Sequence, residues 1–144
     1  MDIVKLEKKI KNYLESFKIQ SESELETDGE TPHVQVVSRV NLTNLDNQLC
    51  QLRALAYQNG TSQITFNFGA IKNKKGLDEL FTDYNVKNFG FKAVIEYNEL
   101  RFYNQAFYND VEAFMDNLDM CIGMFLSDSN IELIKGFLGY LNKR

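Results

Sequence analysis

The sequence has one histidine, one proline and no tryptophan. A lone imidazole, His33, excludes a histidine-rich zinc site and leaves a single candidate for histidine general-base work. Cysteine is nearly as scarce. Cys50 and Cys121 both sit in apolar stretches, and neither lies in a signature that would pair it with His33. They read as buried free thiols in a reducing compartment. Basic residues are outnumbered, 16 against 20 acidic ones, giving a net charge of −4 and a pI near 5.0. The electrostatic footprint of a duplex nucleic-acid binder is therefore missing, and anionic membranes are disfavoured. No stretch of about 18 apolar residues is present to span a membrane. The opening MDIVKLEKKI lacks the apolar core of a signal peptide. A cytoplasmic protein is expected, with no catalytic residue, no metal and no cofactor.

What is present is globular. Of 144 residues, 44% are hydrophobic and 25% charged, enough for one domain with its own core. Ile3, Leu6, Ile10, Leu14 and Phe17 recur at helical spacing. Residues 21–31 read as an acidic, turn-rich, mobile connector, with Glu22, Glu24, Glu26, Asp28 and Glu30 among them. Val34, Val36, Val40 and Leu42 alternate as a strand does, and Pro32 marks its start. Residues 44–60 fit two readings. Leu45, Leu49, Leu52 and Ala56 are spaced for a helix, while Asn59-Gly60 signals a hairpin. Ile64, Phe66 and Phe68 alternate as a strand over residues 62–71, and Leu77, Leu80, Phe81 and Tyr84 suggest a short helix.

A hairpin over residues 89–108 is the clearest element. With Asn98-Glu99 as its turn, Tyr97 faces Leu100 and Ile95 faces Phe102. One face then collects Phe89, Phe91, Ala93, Ile95, Tyr97, Leu100, Phe102 and Ala106. The other carries Lys92, Glu96, Arg101, Tyr103 and Gln105. Asn104 falls on the apolar face, against the pattern. Two helices follow. Asn109 and Glu112 suggest a capping box before the stripe Val111, Phe114, Met115, Leu118, Ile122 and Phe125. Ser129 and Glu132 repeat that signature before Ile131, Ile134, Leu138 and Leu141, with Lys143 and Arg144 suited to a helix end. The expected fold is α+β, an antiparallel sheet of four to five strands with helices mainly on one face and two C-terminal helices.

Three motifs fall short of a site. Glu24 to Gln35 has the early acids and the glycine of a calcium loop, but Gln35 stands where a bidentate Glu is needed. Asp116 and Asp119 lie one helical turn apart without partners from another element, as on a solvated helix face. Gly136-Phe137-Leu138-Gly139 has the spacing of a nucleic-acid-clamping loop, but its two middle residues are apolar.

With a strand over residues 48–58, the order is α-β-β-β-α-β-β-α plus a final helix. That order, the size and the acidity resemble class I type III secretion chaperones and the related YbjN-type domains. Phe91-Lys92-Ala93-Val94-Ile95-Glu96-Tyr97-Asn98-Glu99-Leu100-Arg101-Phe102 is similar to their second hairpin, and residues 109–125 to the helix after it. The likeness covers residues 1–126 and rests on topology; the final helix departs from it. It implies a dimeric, non-catalytic binder of partner polypeptides. A protein-binding role, chaperone- or adaptor-like, is accordingly the first expectation. A small acidic inhibitor or immunity-type protein that blocks a basic nucleic-acid-binding surface is the second, and a small-ligand-binding domain the third. Arg101, Tyr103 and Phe107 on the outer hairpin face, with Glu22, Glu24 and Glu26 in the connector, are the candidate partner-binding residues.

Overall fold

A computed structural model describes residues 1–72, 74–88 and 90–141; Phe89, Lys143 and Arg144, assigned above, lie outside the described residues. Its strands are β1 (Ser21–Glu26), β2 (His33–Leu42), β3 (Gln48–Tyr57), β4 (Thr61–Ala70), β5 (Lys92–Glu96) and β6 (Glu99–Phe107). They form a six-stranded antiparallel sheet in the order β1-β2-β3-β4-β6-β5. The helices are α1 (Ile3–Ser16), α2 (Leu77–Lys87), α3 (Val111–Phe125) and α4 (Asp128–Lys135). The fold is α+β as expected, with the two expected C-terminal helices after β6 and one strand beyond the expected four to five.

The extra strand is β1. The acidic segment is not a connector over its first half: Ser21 to Glu26 pair with Ser38 to His33 at the sheet edge. Its inward side chains are Ser21, Ser23 and Leu25, so two of three inward positions carry no apolar signal. Ser23 Oγ instead donates to Glu7 Oε2 of α1 at 2.9 Å. Charged side chains along the outer face suit an edge strand, because they discourage pairing with another sheet.

Residues 48–57 are a strand, which decides the open choice between helix and strand. Tyr57 to Gly60 make the turn into β4, with Gly60 N–H donating to Tyr57 O at 2.9 Å. Gly60 has φ +101°, and a Cβ there would stand 2.7 Å from the Tyr108 carbonyl oxygen. The later hairpin turns one residue earlier than expected. Tyr97 and Asn98, with φ of 53° and 62°, form the turn, and Ile95 pairs Leu100 rather than Phe102. Two central residues with positive φ match the twist of a two-residue hairpin. The slip is two residues, so every strand residue keeps its face. Among the described residues of that set, Tyr97 leaves the apolar face for the turn and is 86% exposed.

Helices cover one face. Inward residues Val34, Val36, Leu52, Ala54, Ile64, Phe66, Leu100 and Phe102 are buried with Leu6, Ile10, Phe114, Leu118 and Phe125. Phe125 stacks on Phe66 at 3.8 Å and meets Phe91 and Phe102 edge-on. The caps differ from expectation. Asp110, not Asn109, caps α3 by accepting from Ala113 N–H at 2.8 Å, and Glu112 pairs with Lys9 of α1 at 2.7 Å instead of closing a capping box. Ser127, not Ser129, precedes α4, whose stripe ends at Lys135; Leu138 belongs to a following short 3-10 turn.

Asn104 is explained by a cluster of asparagines. Its Nδ2 donates to Gly90 O at 2.7 Å. Asn88 Oδ1 accepts from the Gly90 and Phe91 amides, and Asn85 Oδ1 from the Ala93 amide. Asn130 Oδ1 accepts from Tyr84 Oη at 2.7 Å and from Asn88 Nδ2 at 2.6 Å, while its own Nδ2 donates to Phe125 O. Side-chain amides thus bond the backbone of Gly90, Phe91 and Ala93 at the sheet edge.

Candidate functional site

Among the described residues, no helix covers the second face of the sheet. Strand register places its residues in rows. Glu22, Val37, Arg53, Thr65, Tyr103 and Lys92 run across all six strands. Glu24, Gln35, Leu55, Gln63 and Gln105 form the next row, and Glu26, His33 and Tyr57 the one after. On the other side of the first row lie Arg39, Gln51, Asn67, Arg101 and Val94. The six candidate residues therefore share one face. Glu22, Glu24 and Glu26 line its β1 edge, and Arg101, Tyr103 and Phe107 lie on β6 towards the opposite edge.

Their environments differ. The three glutamates are exposed, and Phe107 is 61% exposed. Tyr103 is half-buried. Arg101 is held in place: its guanidinium meets Glu99 at 2.8 Å and Glu96 at 3.3 Å, and lies 5.6 Å from the centre of the Tyr97 ring. Sequence reasoning missed the middle of the face. Arg39 and Arg53 make no ion pair among the described residues, and Leu55, Tyr57 and Val37 are only partly covered. The parity of Val34 and Val36 would have assigned His33, Gln35, Val37 and Arg39 to this face. Arg53, Leu55 and Tyr57 were hidden while β3 stood between two readings. A dimple beside Arg101 and Tyr103 measures about 20 Å³, room for roughly one water and no ligand.

A larger concavity opens where the sheet splits. β3 and β4 pair only from Gln51↔Asn67 to Ala56↔Ser62. Beyond that, Gln48, Leu49 and Cys50 stay with β2, while Gly69 and Ala70 stay with β6 across a register shift at Asn67–Gly69. The bulge, with Gly69 at φ +87°, bends β4 away from β3. The resulting cleft has a volume of about 800 Å³. Arg39, Gln51, Asn67 and Glu99 stand at its open-face side, and Cys50, Phe68, Leu138 and Leu141 on its helix side.

The residues that sequence reasoning weighed for chemistry lie apart from one another. His33 faces the open side, with Nδ1 at 2.9 Å from Thr31 O, while Cys50, on the neighbouring strand and opposite the far end of β2, is buried on the helix side. Burial pushes the Cys50 thiol up to about 12 and the Cys121 thiol to about 11, so neither is an activated nucleophile. Of the Asp116 and Asp119 pair, Asp119 Oδ1 accepts from Tyr13 Oη at 2.7 Å, and the neighbouring Asp110 is the α3 cap. Phe137, inside the glycine-flanked motif, is buried in the core. Among the described residues, no three His, Cys, Asp or Glu side chains gather where they could hold a metal ion. No described helix is long and apolar enough to cross a membrane. Compared with protein-family models, curated proteins and solved structures, the chain matches none.

Proposed function

We propose that this chain is a non-catalytic protein-binding domain, chaperone- or adaptor-like, that engages a polypeptide partner across the open face of its sheet. The observation that carries the reading is that all six candidate residues fall on that one uncovered face. Six strands about 4.8 Å apart, each with about 20–30 Å of length, give a surface of roughly 600–900 Å². A standard protein interface takes about 800 Å² from each partner. The face mixes Tyr57, Tyr103 and Phe107 with Arg39, Arg53 and Arg101, and tyrosine and arginine are the residue types that dominate binding hot spots. Without β1, the element order is also the α-β-β-β-α-β-β-α of the secretion chaperones that the sequence resembles. The glutamate row favours a second reading, an acidic blocker of a basic partner. Arg39 and Arg53 follow on the next two strands, β2 and β3, which speaks for a mixed partner over a basic one. A ligand-binding reading gains little from Asn104, which lines neither the cleft nor the dimple: its Nδ2 donates to Gly90 O, and its Oδ1 is buried without a partner.

The test starts with partner capture from the native host and then measures binding kinetics on purified components. Tyr103→Ala should speed dissociation at unchanged salt response. Changing Glu22, Glu24 and Glu26 together to Gln should slow association and flatten its salt dependence. Unchanged rates in both variants would mean that the open face is not the partner surface.

A further inference from the structure

The two edges of the sheet end differently. In an antiparallel strand, alternate residues direct their N–H and C=O groups to opposite sides. The Gln58 amide donates to Pro32 O at 2.8 Å, so even-numbered residues of β2 bond to β3 and odd-numbered ones to β1. His33, Gln35 and Val37 pair with Glu26, Glu24 and Glu22. The main chain of those glutamates is therefore engaged with β2, and Ser21, Ser23 and Leu25 direct theirs outward. At the other edge, the Tyr108 amide donates to Gly60 O at 2.8 Å, and the same parity turns Ala93 and Ile95 of β5, with Phe91 before it, outward. There α2 closes the edge. Asn85 Oδ1 accepts from the Ala93 amide at 2.7 Å, its Nδ2 donates to Ala93 O at 3.2 Å, and Asn88 Oδ1 accepts from the Phe91 amide at 2.8 Å. At β1, the outward main-chain groups of Ser21, Ser23 and Leu25 meet no partner among the described residues. Glu22, Glu24 and Glu26 line this edge on the open face, exposed and without an ion pair among the described residues. Their neighbours on β2 are Val37, Gln35 and His33; Arg39 lies one residue beyond the paired stretch and Arg53 one strand further in. A second copy fits this edge badly, because antiparallel pairing of two β1 strands would set their glutamate rows directly against each other.

We infer that the β1 edge accepts an extended segment of the partner polypeptide as a seventh, antiparallel strand, with lysine or arginine at alternate positions opposite Glu22, Glu24 and Glu26. The inference rests on the reading of the chain as a polypeptide binder, but at the sheet edge and not at Tyr103 and Phe107. Main-chain hydrogen bonds supply affinity in such strand addition, and the charge row supplies selectivity. Residues opposite the glutamates fall in the non-hydrogen-bonded pairs, where cross-strand side chains come closest.

The probe is a synthetic heptapeptide, blocked at both ends, that alternates threonine with three lysines and is titrated into the full-length chain by amide NMR. Shifts should centre on residues 21–26. At saturation, hydrogen exchange should slow at the Ser21, Ser23 and Leu25 amides more than at Glu22 and Glu24. N-methylating the threonines should abolish binding, because their N–H groups face β1; N-methylating the lysines should preserve it, because theirs face away. A peptide with glutamate in place of lysine should not bind. Changing Glu22, Glu24 and Glu26 together to Gln should weaken the lysine peptide about tenfold, the combined effect of three exposed cross-strand charge pairs. The three glutamates are exposed, and the NMR spectrum of the variant reports whether it folds. Tyr103→Ala should bind the peptide as the wild type does. No binding at millimolar peptide, equal effects of the two methylation patterns, or shifts centred on Tyr103 and Phe107 would each overturn the inference. The last of these outcomes would leave the open-face reading standing, whereas unchanged partner dissociation in Tyr103→Ala with edge binding intact would remove that reading alone.

Discussion

The same six strands present two faces of opposite chemistry. Towards the helices, Val34, Val36, Leu52, Ile64, Phe66, Leu100 and Phe102 meet an apolar layer and are almost fully buried. Away from them, His33, Gln35, Arg53, Gln63, Asn67 and Tyr103 meet solvent. The covered face is over-determined, since each ring there has several neighbours and a truncation leaves a hole that the rest cannot fill. The open face is held by few specific contacts, chiefly the Arg101 ion pairs. Stability should therefore concentrate on one side and tolerance on the other, which frees the second side for recognition.

The sharpest test of that contrast is a core truncation. Phe114 on α3 is fully buried, and Phe114→Ala should destabilise by about 3–5 kcal/mol. Urea unfolding measures it; a loss below about 1 kcal/mol would mean that α3 does not seal the covered face. The next effect in size belongs to the asparagine cluster. Asn130→Ala leaves the Tyr84 hydroxyl buried without its acceptor, at an expected cost of about 1–3 kcal/mol. Tyr84→Phe removes the group that would be stranded, so adding it to Asn130→Ala should cost less than the two single changes together. Additive losses would show that the two side chains act independently.

How much of this was legible follows from the same contrast. Alternation marked the covered face wherever inward residues were apolar, as in β2, β4 and the β5–β6 hairpin. Parity also survived a wrong turn, because a slip of two residues leaves each side chain on its side. β1 was hidden because Ser21 and Ser23 point inward and only Leu25 is apolar. β3 was ambiguous by accident of spacing: Leu45 belongs to a 3-10 turn, Leu49 faces out at the cleft and Leu52 faces the core. The cleft itself has no local signature. It arises from a bulge that moves β4 relative to β3, and pairing between segments is information that periodicity does not carry. Tyr103 and Phe107 were legible as outward residues, whereas their union with Glu22, Glu24 and Glu26 required the strand order.

On the open face a comparable truncation should do little to folding. Leu55 lies at its centre and is only partly buried. Leu55→Ser should shift stability by less than about 1 kcal/mol, in the range of surface substitutions. Urea unfolding beside Phe114→Ala puts the two faces on one scale. A Leu55 loss as large as that of Phe114 would mean that the open face is covered in solution, and a dimer detected by light scattering would then name its cover.

The smallest expected effect lies at the rim of the covered face, where α1 and α3 are linked by Lys9 and Glu112. The hydrogen bond from Lys9, and then its charge, hold the Glu112 carboxyl below its ordinary value. A carboxyl depressed in the folded state stabilises above its unfolded pKa, about 4.3, and that contribution fades as pH falls through the folded value. Glu112 is exposed, so solvent and salt screen the pair. Glu112→Gln should therefore lower the urea midpoint slightly at about pH 7, and the gap to the wild type should close at about pH 3. Using the difference between the two proteins cancels the pH effects common to both. Added salt should shrink the neutral-pH gap as well. A gap that widens on acidification, or that resists salt, would mean that Glu112 acts through packing rather than through its charge.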